Sequence, residues 1–182
     1  MHPGDLRVIR ISRPRYHYSL NAGFTWYGFD FSVFFQGIGR QHSFPGLNKM
    51  LFWGPYPRPY SSCIPTTFLT DVWTEDTPDA YYPKARGYAA QGSRSLAQTN
   101  DRYLQNLAYC RLKNLTFGYT LPSSLTSKIR VEKIRVYFSG DNLFTWTKLK
   151  SDYLDPEQMT SDANGRVYPF SRTFSFGVDI SF

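Results

Sequence analysis

The chain has 182 residues and a formal charge of +7, from 21 lysines and arginines against 14 acids. Aromatic residues make up 18% of it, with 13 glycines and 12 prolines, which favours strands and turns over helices. No run of about 18 apolar residues is present, which excludes a helical membrane span. Residues 1–15 lack an apolar stretch of about 7 to 15 residues, so we expect no secretory signal there.

The positive charge makes nucleic acid a partner to consider. No run of lysine and arginine exceeds two residues, and the basic residues are scattered along the chain. Nucleic-acid-binding proteins concentrate such residues in a patch or stripe. We therefore predict a solvated basic surface and no nucleic-acid partner.

The first predicted elements form a β-hairpin. Residues 16–26, YHYSLNAGFTW, alternate between large apolar and small polar side chains, as a strand with two different faces requires. After a tight turn at Tyr27-Gly28 the alternation resumes, with Phe34 as the exception. The apolar positions of the two strands are Tyr16, Tyr18, Leu20, Ala22, Phe24 and Trp26, then Phe29, Phe31, Val33 and Phe35.

Three further strands follow with the same alternation. They lie in NLTFGYTL (114–121), which stops at Pro122, in KIRVYFSGDN (133–142), and in TFSFGVDISF (173–182). The last has the clearest pattern, with apolar residues at Phe174, Phe176, Val178, Ile180 and Phe182.

The connections between these strands differ greatly in length. One is the two-residue turn and another spans 122–132, whereas the remaining two span about 38–105 and 143–171. In an up-and-down sheet both short connections lie at one end and both long ones at the other. Transmembrane barrels have this asymmetry, with short periplasmic turns and long extracellular loops. We predict an all-β fold: an antiparallel sheet of about five long strands, forming a segment of a transmembrane β-barrel.

The charged residues of the strands support this prediction. Asp30, Arg135, Asp141 and Asp179 all lie on the polar parity, so we predict that they face the lumen. A charge on the lipid face would cost roughly 2 to 4 kcal/mol at mid-depth. Arg172, on the apolar parity, lies at the loop end, where it could extend to the headgroups.

A soluble β-sandwich also alternates apolar and polar residues, and it remains the alternative. Its strands are usually shorter than the ten or so residues of the first strand. Tyrosine and tryptophan lie near strand ends, where the aromatic girdles of a barrel are found: Tyr16, Tyr18, Trp26, Tyr119 and Trp146.

Residue patterns for metal binding or catalysis are weak. His2, His17 and His42 form no close-spaced ligand set, and Asp152, Asp155 and Glu157 lack the spacing of an EF-hand. No Ser, His and Asp set stands out, so we predict no enzyme activity, no metal and no cofactor. Cys63 and Cys110 are the two thiols, and both a disulfide and two free cysteines remain open.

The first long connection is rich in aromatic residues among prolines and glycines. Exposed rings in such a loop could stack on sugars or peptides. The alternative is that these rings pack on one another and hold the loop together. The candidates for substrate binding are Trp53, Tyr56, Tyr60, Trp73 and Tyr81.

Several motifs resemble one known family. RLKNLTFGYTLP (111–122), IRVYFSGDNLFTWT (134–147), YLDPE (153–157) and YPFSRTFSFGVDISF (168–182) are similar to the C-terminal end of SusC/RagA-type TonB-linked outer-membrane receptors. Two further motifs, GFDFSVFFQGIG (28–39) and DVWTEDTPDAYYP (71–83), look like the preceding hairpin and loop of the same family. The resemblance covers most of residues 14–182 and is weakest over 1–13 and 40–70.

The resemblance implies a function. Such receptors are outer-membrane barrels of about twenty-two strands around a plug on which the TonB complex pulls. They import glycans or peptides under a SusD-like lipoprotein lid. It also implies that the barrel-assembly machinery reads the terminal strand, with Phe174, Phe176, Val178, Ile180 and Phe182 as the signal. The domain organisation expected from it is an irregular lead-in (1–13), a hairpin (14–38), a long extracellular loop (39–104) and the last three strands (105–182).

The chain also departs from the family's pattern. A signal peptide, a TonB box, a plug and about seventeen further strands are not seen in it, and five strands cannot close, because the smallest bacterial barrels have about eight. We therefore expect a fragment, from a truncated or mis-started reading frame, that does not transport alone. The runner-up is a soluble, aromatic-rich carbohydrate-binding β-sandwich module.

Overall fold

The computed structural model describes most of the chain and divides it into two compact units. The described residues are 9, 11–46, 50–57, 60, 64, 66, 68–90, 94–151, 154–159, 168 and 170–182. We call the first unit the sheet unit; it comprises Arg15–Gly39, Ala108–Thr147 and Phe170–Phe182. The second, the loop unit, comprises Met1–Pro14, Arg40–Leu107 and Lys148–Pro169.

The sheet unit is one antiparallel sheet. The strands of the described residues are β1 (Tyr16–Trp26), β2 (Phe29–Gly39), β3 (His42–Ser43), β4 (Gln105–Asn106), β5 (Tyr109–Thr120), β6 (Lys133–Thr147) and β7 (Thr173–Ser181). The five long strands form the sheet in the order β1-β2-β5-β6-β7, and each pairs antiparallel with its neighbours. The predicted five-stranded up-and-down sheet is confirmed.

Two short connections join strands at one end of this sheet. Tyr27 and Gly28 have φ values of 46° and 88°, the left-handed backbone that a two-residue hairpin turn needs. A Cβ on Gly28 would also lie 2.8 Å from the carbonyl oxygen of Thr120. The second connection, 121–132, contains helix α3 (Ser123–Thr126) and a 3₁₀ helix (Ser127–Ile129). We call this end the turn end and the opposite end, from which residues 40–108 and 148–172 connect the strands, the loop end.

The register of the sheet shifts once around the middle strand. Lys113 is an extra residue in β5 relative to β2, because Phe34 pairs with Asn114 and Phe35 with Leu112. The pairing of β5 with β6 shifts at the same place, because Leu112 pairs with Phe144 and Asn114 with Asp141. Asn142, within this shift, has a φ of 52°. Such bulges change which side chains share a face, so the alternation in sequence is offset by one residue on either side of Lys113.

The loop unit is built from short elements around its own hydrophobic cluster. Besides the β3–β4 pair it contains α1 (Met50–Trp53), α2 (Phe68–Asp71) and a 3₁₀ helix (Ser95–Ala97). The cluster consists of Phe52, Trp53, Tyr56, Phe68, Tyr82, Ala90, Leu96 and Tyr103. In the part of the chain that the structure describes, no helix is both long and apolar enough to cross a membrane.

Candidate functional site

The apolar face of the five-stranded sheet is exposed. Leu20 is 59% exposed, and Phe176 of the last strand is 83% exposed. The same face includes Phe24, Trp26, Phe117, Val136, Phe144, Trp146, Phe174, Val178 and Ile180, all of them exposed. Soluble monomers rarely expose contiguous apolar patches of more than a few hundred Å². A hydrocarbon solvent removes the cost of exposing these side chains.

Tyrosine and tryptophan of this face lie near the two ends of the strands, and phenylalanine lies mainly between them. At the loop end, Tyr18 and Trp146 lie in one row across the sheet, through Gly37 and Cys110. At the turn end, Trp26 and Tyr119 share another row, through Phe29. Phenylalanine and aliphatic residues occupy the rows between. This is the arrangement of two interfacial girdles around an apolar band.

The length of the strands fits such a band. β1 and β2 have 11 residues each. At about 3.4 Å per residue and a tilt of about 45°, such a strand reaches roughly 25 Å along a membrane normal, the height of the apolar band of a barrel. Within the five described strands, the residues that alternate onto this face carry no formal charge.

The opposite face carries an ion-pair network at the turn end. Arg135 donates from Nε and Nη2 to both carboxylate oxygens of Asp30, at 2.9 and 2.7 Å, and from Nη1 to Asp179 at 2.9 Å. β5 lies between β2 and β6, and the residue below the pair is Gly118. A Cβ at this position would approach Asp30 Oδ1 to 2.5 Å and Arg135 Nε to 2.8 Å. Because glycine has no side chain, the Asp30 carboxylate and the Arg135 guanidinium can contact each other above this position.

Further groups hold the guanidinium in place. Arg135 lies over the Tyr137 ring, 4.8 Å from its centroid, a distance at which the ring's negative face attracts a cation. Beside the network an open cavity of about 480 Å³ is lined by Thr25, Asp30, Thr120, Lys133 and Arg135 together with residues of the β1–β2 turn.

The four predicted lumen-facing charges lie on this one face. Asp30, Arg135 and Asp179 form the network, and Asp141 accepts a hydrogen bond of 2.9 Å from Asn114 Nδ2 in the middle of the sheet. That the face borders a lumen stays a prediction.

Sequence reasoning missed a cationic group at the other end of this face. Arg111 is almost fully buried and donates from Nε to Thr145 Oγ1 at 2.8 Å. Its guanidinium lies 5.0 Å from the ring centroid of Phe170, and the Lys113 ammonium lies 4.6 Å from the same ring. The only signal in the sequence was the presence of two basic residues within the apolar motif RLKNLTFGYTLP.

Two of the loop candidates, Trp53 and Tyr56, are not exposed rings. Both are fully buried in the cluster of the loop unit. Trp53 Nε1 donates to the carbonyl oxygen of Pro45 at 2.8 Å, and the Tyr56 hydroxyl donates to that of Pro83. Burial raises the pKa of Tyr56 above its ordinary value. For these two residues the structure favours the packing alternative.

The other loop candidates are more accessible. Trp73 and Tyr81 are half-buried. The Tyr81 hydroxyl donates to the carbonyl oxygen of Arg102 at 3.3 Å and accepts from Gln105 Nε2 at 3.0 Å. Burial raises the pKa of both Tyr81 and Tyr103.

Tyr60 is the candidate that remains open to a ligand, because it is 77% exposed. Its ring lies 6.2 Å from that of Tyr88, and the Arg94 guanidinium lies 5.9 Å from the Tyr88 ring. Tyr88 has a φ of 64°, a conformation that costs a non-glycine residue about 1 to 3 kcal/mol. We call these three side chains the Tyr60 platform.

The described residues contain no group of three or more His, Cys, Asp or Glu side chains that could hold a metal ion. Asp152 and Cys63 lie outside the described residues. Cys110 is a free thiol.

The chain is similar to known outer-membrane receptors. It is 27% identical over 188 aligned positions to TonB-dependent receptor P3 of Formosa agariphila, an alignment that covers 98% of this chain and 17% of that protein. Among solved structures, the RagAB peptide importer in the open-open state matches 97% of the chain, with 26% identity and a TM-score of 0.66. The RagAB peptide transporter matches 90% of it, with 26% identity and a TM-score of 0.58. No protein-family model matches the chain.

These matches have a limited span. The chain covers 17% of the curated relative and 17 to 18% of the solved chains. Within that span, the predicted resemblance to SusC/RagA-type TonB-linked receptors is confirmed, and so is the predicted location in the bacterial outer membrane.

Proposed function

Because the chain resembles part of a SusC/RagA-type TonB-dependent receptor over nearly its whole length, we propose that it forms a sector of the barrel wall of an outer-membrane nutrient importer. The observation that carries this proposal is the exposed apolar face of the sheet, bounded by tyrosine and tryptophan at both ends. In this proposal that face contacts outer-membrane lipid. The face with Asp30, Arg135, Asp141 and Asp179 borders the lumen.

The sheet works as part of a larger barrel. Five strands are fewer than the eight or so of the smallest closed barrels, and in the described residues the outer edges of β1 and β7 pair with no further strand. The five strands alone are therefore not competent for transport. The remaining functions of such an importer, a plug coupled to the TonB complex and a SusD-like lipoprotein lid, belong to other parts of the assembly. The exposed residues of β7, with Phe182, serve as the signal for the barrel-assembly machinery.

An oligopeptide is the substrate class that we favour over a glycan. The solved structures similar to this chain are of one complex, RagAB, described as a peptide importer and a peptide transporter. The Tyr60 platform offers rings and a guanidinium that can contact peptide side chains and carboxylates. The chain has a role in transport and none in catalysis. The carbohydrate-binding sandwich is not supported, because the apolar face that a second sheet would have to cover is exposed.

Two adjacent residues at the centre of β1 test the lipid contact. Leu20 lies on the apolar face and Asn21 on the polar face, and both are exposed. In the full-length protein, meaning the complete receptor that contains this chain, folded into phosphatidylcholine vesicles, we expect Leu20→Arg to lower the free energy of unfolding by about 2 to 4 kcal/mol. The matched control, Asn21→Arg, places the same charge on the opposite face and should have little effect. Equal, small effects of both substitutions would contradict a lipid-facing surface.

The substrate class is tested by uptake. Cells that depend on the full-length protein are given labelled oligopeptides or labelled glycans of similar mass, and Tyr60→Ala is compared with wild type. Loss of peptide uptake in the variant with normal protein levels supports the proposal. Uptake of glycans alone would contradict the peptide assignment and leave the barrel assignment standing.

A further inference from the structure

We propose that the 121–132 connection is a docking site for anionic phospholipid headgroups at the membrane surface of the turn end. This inference rests on the proposed function, because it requires that the sheet spans a membrane. It goes beyond the lipid contact of the strands, since it assigns a headgroup chemistry to a connection outside them.

The connection exposes two aliphatic side chains one helical turn apart. Leu125 is 52% exposed and Ile129 is 61% exposed. Thr126, between them, is buried, with its Oγ1 donating to the carbonyl oxygens of Ser123 and Glu132 at 3.4 Å each. The buried threonine fixes the inward side of the connection, so the two aliphatic residues remain on its outer surface. In water this exposure is unfavourable, whereas at a membrane surface it is not.

Cations accompany these aliphatic residues. Lys128 and Arg130 are both exposed within the connection. Glu132 is the acidic residue in this stretch. Apolar side chains interspersed with lysine and arginine are the composition of interfacial segments that bind anionic lipids. The charge therefore complements a phosphate-bearing headgroup.

The site is continuous with the apolar face of the sheet. Leu121 N donates to the carbonyl oxygen of Ile134 at 2.9 Å, and Ile134 pairs with Ile180 of β7. These three residues form the last apolar row at the turn end, and the connection leaves the sheet from this row. Leu125 and Ile129 thus follow directly on the surface that we assign to lipid.

The connection is held in shape by its own backbone. Leu125 N donates to Pro122 O at 3.0 Å, Arg130 N to Ser127 O at 3.2 Å, and Val131 N to Thr126 O at 3.1 Å. Arg130 has the left-handed φ of 56° that ends the 3₁₀ helix. A site ordered in this way loses less conformational entropy when a headgroup binds.

Photo-crosslinking tests the proposal. The full-length protein is reconstituted into vesicles made of equal parts phosphatidylcholine and phosphatidylglycerol, with a trace of either lipid in photoactivatable form. Mass spectrometry then measures the yield of cross-links within residues 121–133. We expect a higher yield with phosphatidylglycerol than with phosphatidylcholine, and a decrease in this preference of about fivefold for each cation removed in Lys128→Gln/Arg130→Gln.

A second double variant provides the matched control. Lys84→Gln/Arg86→Gln removes one lysine and one arginine that are exposed in the loop unit, and it should leave the preference unchanged. Equal yields for the two lipids, or an equal decrease in both variants, would overturn the headgroup site while leaving the proposed function intact. Failure of the wild-type protein to fold into any vesicle would overturn both.

Discussion

Arg135 of β6 binds Asp30 of β2 across the strand that separates them. Nε and Nη2 of the guanidinium donate to the two carboxylate oxygens at 2.9 and 2.7 Å, and the β5 residue below the pair is Gly118. Because Nη1 also donates to Asp179 of β7, one side chain connects three strands of the sheet. The network therefore opposes separation of these strands at the turn end.

Gly118→Ala should weaken this network. The added methyl group would lie within 2.5 Å of Asp30 Oδ1, so the carboxylate or the guanidinium has to move. We expect the free energy of unfolding to fall by about 1 to 3 kcal/mol, measured by urea titration of the protein in vesicles with tryptophan fluorescence. Gly46→Ala is the control, because a Cβ there meets no atom within 4 Å. A loss of the same size in both variants would contradict this role of Gly118.

The two acids bound by Arg135 should differ in their coupling to it. Asp30 accepts two hydrogen bonds and is 28% exposed, whereas Asp179 accepts one and is 58% exposed. Double-mutant cycles with Arg135→Gln, Asp30→Asn and Asp179→Asn should give a coupling of roughly 1 to 2 kcal/mol to Asp30 and less than about 1 kcal/mol to Asp179. A larger coupling to Asp179 would show that bidentate geometry does not decide the strength of the pair.

The faces of the sheet could be predicted from the sequence because a strand alternates with a fixed period of two. β1 pairs with β2 from Tyr16 to Trp26 without a register shift, so its residues keep the predicted alternation between the two faces. The four strand charges share one face. The pairing of Arg135 with Asp30 could not be predicted, because the partners are 105 positions apart. Their contact depends on β2 and β5 being neighbours, and on the register that the bulge at Lys113 sets.

The loop unit was less predictable. Its rings follow no period, and a tryptophan in a proline-rich connection looks the same in sequence whether it binds a ligand or fills a core. Trp53 is buried because three aromatic rings, from Phe44, Phe52 and Tyr103, pack around it at centroid distances of 6.1, 4.8 and 5.1 Å. Phe34, the exception to the alternation of β2, lies on the polar face, where it pairs with Asn21 and Asn114.

Substitutions of Trp53 and Tyr60 should therefore affect different properties of the protein, stability in the first case and substrate binding in the second. Trp53→Ala removes a fully buried ring and leaves the Pro45 carbonyl without its donor, so we expect a loss of about 3 to 5 kcal/mol in the stability of the loop unit. Tyr60→Ala should change stability by less than about 0.5 kcal/mol and should weaken substrate binding. Thermal unfolding and calorimetric titration with an oligopeptide measure the two effects. Unchanged peptide affinity in Tyr60→Ala would remove the Tyr60 platform from the substrate site.

The stability of the loop unit should fall at alkaline pH. Burial raises the pKa of Tyr56 above its ordinary value of 10.0, and burial raises the pKa of Tyr81 and Tyr103 as well. The unfolded chain therefore loses protons at lower pH than the folded chain does. The contribution of these buried, protonated tyrosines to the free energy of unfolding is therefore fully present below about pH 10. It is lost as the pH rises from there toward the raised pKa values.

Tyr56→Phe isolates one contributor to this decline. At neutral pH the variant lacks the hydrogen bond to the Pro83 carbonyl and should be less stable by about 1 kcal/mol. Above pH 10 it has one tyrosine fewer to ionise on unfolding, so its stability should fall less steeply and approach that of the wild type. Urea titrations at a series of pH values measure both slopes. If stability fell equally steeply with pH in the variant and in the wild type, ionisation of Tyr56 would not be coupled to unfolding of the loop unit.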